Sequence, residues 1–441
     1  MTDGKRTDGG LSRRGYLRTS GAALAAMTSL AGCSEGSSSG GDGGDGGGDG
    51  GSTGSSGSDD DPITVGVVDA QSGNAALTGT PKVLASELAV SEINDDGGIL
   101  GREVELLTPD PESDINTFQQ HVRRLINEDD ADAIWCGIRS SVREAVRPIM
   151  DQNEQLYFYT TQYEGGVCDK YTFPMGATAR QQLRPVMELM TDKFGTDIYT
   201  IAADYNFGQL SADWVEILAD DMGANVIGEE FVPLSQSQFS SSINNIQEAD
   251  PDFVMSILVG ANHASFYEER AAAGLDVPMG TSTVMALPFE HLRLDPPALQ
   301  DVYVGANYMQ EFDTERNNDF VDRFYEMHPD AQYLNQSAHN NYFSMHLYKN
   351  AVEEAGTTNQ DEVIATLESG MDIAAPEGDI SLHGPTHHMS HHMRIARADE
   401  NHNIEVLNGE EGELIEPSFL QEVGCDLTET VETTQYTPAD L

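Results

Sequence analysis

The residues best equipped for chemistry in this 441-residue chain are a histidine cluster, four cysteines and a few hydroxyl residues that close short apolar runs. His387, His388, His391 and His392 contain two i,i+4 pairs, the spacing that presents two imidazoles to one metal ion on a helix. Gly384-Pro385 precedes them and Met393 to Ala396 continues like a strand, so a packed polar hairpin is expected rather than a metal site. Ser140 has no histidine near it in sequence, and neither a glycine-rich phosphate loop nor a G-x-S-x-G elbow occurs. With no visible pair of nucleophile and base, the chain is expected not to be an enzyme and to need no cofactor. Cys136, Cys168 and Cys425 allow one disulfide. Cys136 and Cys168 are the expected pair, because both lie beside segments placed at the cleft described below.

These residues sit at the ends of regularly alternating elements. Ile63-Thr-Val-Gly-Val-Val68 reads as a strand, residues 82–94 as a helix stopped by Asp95-Asp-Gly-Gly98, and Val104 to Leu107 as a second strand. Ile115, Phe118, Val122, Leu125 and Ile126 repeat at helical spacing. Ala133 to Cys136 is a third strand, Ser141-Val-Arg-Glu144 has the capping-box pattern that opens a helix, and Leu156 to Thr161 is a fourth strand. The alternation restarts with a helix over 181–193 and strands at 198–203, 225–229 and 253–258. Such order implies parallel βαβ units, hence an α/β protein of two doubly wound, Rossmann-like lobes joined by a hinge. A ligand would lie between the lobes, where strand ends face each other.

The termini say where such a body would work. Arg13-Arg14, a short apolar stretch to Leu30 and Leu30-Ala31-Gly32-Cys33 read as a twin-arginine (Tat) export signal ending in a lipobox. Residues 1–32 would be the signal, Cys33 the lipid anchor, and the Gly/Ser/Asp-rich 33–61 a tether holding the body on the outer face of the cytoplasmic membrane. The formal net charge is −51 with only five lysines, which excludes nucleic acid as a partner. Self-repulsion on that scale is relieved when molar salt cuts the Debye length to ~3 Å, as around a halophile.

Glu92-Ile-Asn94, Gly97-Gly98, Leu100-Gly-Arg102 and Tyr159-Thr-Thr-Gln-Tyr-Glu-Gly165 together resemble the type I periplasmic solute-binding proteins, in the branch that binds urea and short aliphatic amides. The resemblance runs from about residue 61 to about 398, and Gln162 to Gly165, Asp204-Tyr205 and Thr386-His-His-Met-Ser390 are its most specific pieces. It implies a clam-shell receptor that delivers a small neutral solute to an ABC permease. Lobe one would comprise 62–178 with about 311–370, lobe two 179–310 with about 371–425, and 426–441 a C-terminal tail. Carried over residue by residue, the ligand contacts fall on Ser140, Tyr159, Thr161 and Gln162 from lobe one and on Tyr205 and Phe207 from lobe two. Urea and amides are flat, uncharged molecules, suited to hydroxyl and amide partners within aromatic walls. Ile138, Phe207 and the non-acidic Val284 to Phe289 depart from that branch. They keep branched-chain amino acids open as the solute, with Tyr163 near the position of the small hydroxyl that clamps a carboxylate there. The same two-lobed, anchored body is also compatible with a sensor that reports the solute to a membrane partner rather than transporting it.

Overall fold

The apolar runs of the sequence become the central strands of two parallel sheets. The computed structural model describes residues 61–441 apart from Ala261; the expected signal, Cys33 and the tether through residue 60 lie outside the described residues. The first lobe is built from β1 (Ile63–Val68), α1 (Ala76–Asp95), β2 (Val104–Leu107), α2 (Ile115–Asn127), β3 (Ala133–Cys136), α3 (Ser140–Gln152), β4 (Tyr157–Tyr159), β5 (Val167–Asp169) and β6 (Thr172–Pro174). Five of its strands form one parallel sheet in the order β2-β1-β3-β4-β6. Phe118, Val122 and Leu125 bury one face of α2 as their spacing predicts, and the Asp114 carboxylate caps the helix by accepting from Thr117 N at 3.0 Å. The capping box expected at Ser141 does not form. Helix α3 starts two residues earlier, with Arg139 rather than Ser141 at its N-cap, and Glu144 turns instead to Arg143 and Arg147, at 2.9 and 2.8 Å.

The second lobe follows with α4 (Ala179–Phe194), β7 (Asp197–Ala203), α5 (Asn206–Met222), β8 (Asn225–Val232), α6 (Ser240–Ala249), β9 (Phe253–Ile257), α7 (Asn262–Ala273), β10 (Met279–Thr281), α8 (Glu290–Arg293) and β11 (Val302–Ala306). The chain then returns to the first lobe as α9 (Glu315–Met327), α10 (Gln336–Ala355), α11 (Gln360–Glu368), β12 (Met371–Ala375), β13 (Gly378–His383) and β14 (His388–Met389). It ends with β15 (His391–Ala398), β16 (Ile404–Val406), β17 (Glu413–Ile415), α12 (Phe419–Glu422) and β18 (Thr433–Gln435). The second sheet runs β16-β15-β11-β10-β9-β7-β8, parallel from β11 to β8 and antiparallel where β15 and β16 join.

Two boundaries differ from the sequence reading. Residues from about 371 were expected in lobe two, yet Ile373, Ala375, Ile380, Leu382 and Met389 of the small antiparallel sheet β12-β13-β14 pack in the first lobe's core beside α10 and α11. The change of lobe comes between β14 and β15. The expected tail 426–441 is also structured: β18 pairs antiparallel with β5, matching Thr434 to Cys168.

The disulfide is corrected as well. Cys168 bonds to Cys425, 257 residues away, with a Cα–Cα distance of 6.0 Å, and Cys136 is a buried free thiol. Neighbouring strand residues point to opposite faces. Val167 of β5 therefore joins the core that holds Cys136, while Cys168 faces the other core, where Phe419 and Leu420 anchor the segment that carries Cys425.

Candidate functional site

The C-terminal ends of the central strands of both sheets open onto a cavity of about 410 Å³. All six residues expected at the ligand line it: Ser140, Tyr159, Thr161 and Gln162 on one side, Tyr205 and Phe207 on the other. Local backbone places them. Gly137, at φ 91°, makes the turn from β3 into α3 in a conformation that L side chains rarely adopt, bringing Ser140 to the first turn of the helix. On the opposite lobe a Cβ at Gly208 would lie 2.0 Å from Ala203 O. Only glycine lets α5 pack that closely on the end of β7, with Tyr205 and Phe207 at the junction.

The first lobe's wall is hydrogen-bonded into the protein behind it. Ser140 Oγ donates to Glu164 Oε2 at 2.6 Å, and Glu164 Oε1 accepts from Arg143 Nη2 at 2.6 Å. Arg143 and Glu164 are both buried, and the guanidinium lies over the rings of Tyr159 and Tyr163, 5.1 and 4.7 Å from their centroids. Tyr159 Oη donates to Ile138 O at 3.1 Å and Thr161 Oγ1 to Gly137 O at 3.3 Å. The Gly137 carbonyl also accepts from Lys82 Nζ at 2.8 Å, and Lys82 pairs with Asp69 at 2.8 Å. Burial pushes the Asp69 carboxyl up to about 6 against the pull of Lys82. Burial likewise raises the Tyr159 phenol well above its ordinary range, which keeps it protonated as a donor.

The Gln162 amide is already engaged within the protein. Its Nε2 donates to Ser282 O of the second lobe at 2.7 Å, and its Oε1 accepts from Gln182 Nε2 at 2.8 Å and from Gln336 Nε2. It lines the cavity but ties the lobes together. Tyr163 turns away altogether: its fully buried hydroxyl is hydrogen-bonded to His388 Nε2 and accepts from Val167 N. The other clustered histidines go to separate partners: His387 to Glu368 at 3.1 Å, His391 to Glu377 at 2.9 Å, and His392 to the Asp379 and Glu411 carbonyls. Among the described residues, no group of three or more His, Cys, Asp or Glu is arranged to hold a metal ion.

The second lobe's wall is more apolar, with Val259, Leu287 and Pro288 beside Tyr205 and Phe207, whose rings lie 6.2 Å apart. Glu290 and Arg293 also line it and pair at 2.5 Å. Burial raises the Glu290 carboxyl against the opposing pull of Arg293. At the mouth, Arg139 Nη2 donates to Asn74 Oδ1 at 3.1 Å. Glu164, Glu290 and Arg139 were not among the residues expected at the site. Glu164 lay inside the quoted motif, three residues after Thr161, but nothing in its spacing showed that it would face Ser140.

A family model described as periplasmic binding protein matches residues 62–403. The chain belongs to that family. Its members bind small solutes and interact with ABC permeases, and they are binding proteins rather than enzymes. The chain is similar to Leu/Ile/Val-binding protein homolog 4 of Brucella melitensis biotype 1, 23% identical over 393 residues that cover 83% of this chain and 91% of the relative. Among solved structures, the closed leucine-, isoleucine-, valine-, threonine- and alanine-binding protein from Brucella ovis gives a TM-score of 0.73 at 21% identity, covering 81% of this chain and 97% of that one. A solute-binding protein of an ABC transporter from Rhodopseudomonas palustris HaA2, in complex with p-hydroxybenzoic acid, gives 0.71 at 18% identity, covering 81% and 99%. These likenesses establish the two-lobed α/β clam-shell. Among the described residues no helix is long and apolar enough to cross a membrane.

Proposed function

We propose that this protein is the receptor of an ABC importer for urea or a short primary amide, held between the lobes by Ser140, Tyr159, Thr161, Tyr205 and Phe207. The observation that carries this reading is that the cavity lining holds no free carboxylate. Glu290 is the one carboxylate among the described lining residues, and Arg293 already neutralises it. An ammonium group would find no free counter-ion there, whereas a neutral carbonyl solute needs none. On the sequence reading, export by the Tat route and a lipid on Cys33 would keep the receptor near its permease. A single lipid chain binds membranes only marginally, so a second chain or the permease itself would complete the anchoring.

A second reading, a receptor for branched-chain amino acids, is favoured by two observations. About 410 Å³ is roomy for urea and suits a larger side chain. Arg139, which pairs with no carboxylate among the described residues, could receive the solute's own. Melting the full chain in molar KCl with urea, acetamide, leucine and valine, each at millimolar concentration, separates the two. A solute at a hundredfold excess over its Kd adds ~2.7 kcal/mol. Urea or acetamide should raise Tm. A rise with leucine or valine and none with the amides would transfer the assignment to amino acids.

A further inference from the structure

A hydroxyl has one hydrogen to donate and two lone pairs to accept with. On the first lobe's wall, where Thr78 also lines the cavity, that hydrogen is already placed at three hydroxyls. Ser140 donates to the Glu164 carboxylate, Tyr159 to the Ile138 carbonyl and Thr161 to the Gly137 carbonyl, and none of these partners can donate in return. What the three hydroxyls offer the cavity is therefore lone pairs. The arrangement is firmest at Ser140, where a 2.6 Å bond to a carboxylate is charge-assisted and that carboxylate is itself held at 2.6 Å by the buried Arg143. Across the cavity Tyr205 differs. Its ring lines the space, and among the described residues its phenol makes no hydrogen bond, so its O–H is left to meet an acceptor.

We infer that Glu164, which is not itself part of the cavity lining, sets the hydrogen-bond polarity of the site by taking the only hydrogen of Ser140, so that the solute is bound through its N–H groups toward lobe one and its carbonyl toward Tyr205. This rests on the amide reading and adds to it an orientation and a positioning residue. A primary amide or urea presents two or more N–H donors to the three acceptors. A carboxylate presents none and would set oxygen against oxygen in front of the Glu164 charge.

The test is calorimetric titration of the full chain in molar KCl with urea, acetamide, N,N-dimethylacetamide and acetate. Acetamide should bind at least about tenfold more tightly than its dimethyl form and than acetate, because a buried acceptor left without its donor is costly. In Glu164→Gln the new carboxamide can donate to Ser140 Oγ and free its hydrogen. The ratio of acetamide to acetate affinity should then fall by about tenfold, whereas a merely structural defect would weaken both solutes alike and leave the ratio unchanged. Should that variant fail to fold, with Arg143 left only Glu144 as counter-charge, Ser140→Ala removes the same polarised hydroxyl and should lower the same ratio. N,N-dimethylacetamide binding the wild type as well as acetamide does, or an unchanged ratio in Ser140→Ala, would overturn the inference and leave the amide assignment standing. If leucine binds while urea and acetamide do not, the amide assignment falls instead. The polarity claim is then supported if leucinamide outbinds leucine, and overturned if leucine outbinds leucinamide.

Discussion

The two walls of the cavity are made from the same kind of strand-to-helix junction, yet they are built oppositely. On the first lobe every named polar group is braced from behind: Ser140 by Glu164 and Arg143, Gly137 by Lys82 and Asp69, Tyr159 by Ile138 O. On the second, the wall is mostly ring and aliphatic surface with one neutralised ion pair. The two walls thus divide the labour. A fixed polar surface determines which atoms of a solute can face it, because its dipoles cannot reorient. An apolar surface accepts a range of shapes and gains by excluding water.

Attacking the bracing itself should cost the most. Arg143→Met leaves the Glu164 carboxylate buried without its partner and should destabilise the fold by about 3–5 kcal/mol, measured by guanidinium chloride unfolding. If Glu164 instead reaches solvent and the loss stays below about 1 kcal/mol, the two walls are less different than their geometry. Next is the bond that holds the C-terminal segment onto β5, directly after the Glu164 turn. Replacing both Cys168 and Cys425 by serine should cost about 2–4 kcal/mol in the same assay.

The walls also differ in how they respond to pH. Asp69, behind the first, has its folded pKa raised from 3.8 to about 6 by burial, so the folded state holds its proton more tightly. That contribution to stability is greatest below pH 4 and declines as the pH rises to about 6. His263, in the second lobe beside Thr283 Oγ1 at 3.1 Å, is lowered by burial from 6.5 to about 4. Its contribution is present above pH 6.5 and is lost as the pH falls toward 4. Between pH 4 and 6, Asp69→Asn should therefore steepen the rise of Tm with pH and His263→Gln should flatten it. Changes of slope in the same direction in both variants would contradict the assignment. The smallest effect is at the mouth: Arg139→Gln should leave stability within about 0.5 kcal/mol and the affinity for acetamide unchanged. If the amino acid reading were right, the same variant would lose leucine binding.

Much of this fold was legible because its strands are short apolar runs and its helices repeat at 3.6 residues. Helix α2 and strands β1 and β3 stand where the pattern put them. Long-range pairing was not legible. The lobe to which β12-β13-β14 belongs depends on packing against α10 and α11 across the chain, and the partner of Cys168 depends on which face of β5 it occupies. At the site, the six expected residues do converge on one cavity. Spacing could not show that Gln162 would be engaged by Ser282, Gln182 and Gln336, or that Glu164 would face Ser140 from 24 residues away.

The most direct measurement is titration of the full chain in molar KCl with acetamide and with leucine, in the wild type and in Tyr205→Phe. A receptor for urea and amides should bind acetamide saturably with one site, ignore leucine, and lose about tenfold in affinity when the Tyr205 hydroxyl is removed. Saturable leucine binding with no response to acetamide or urea would contradict it.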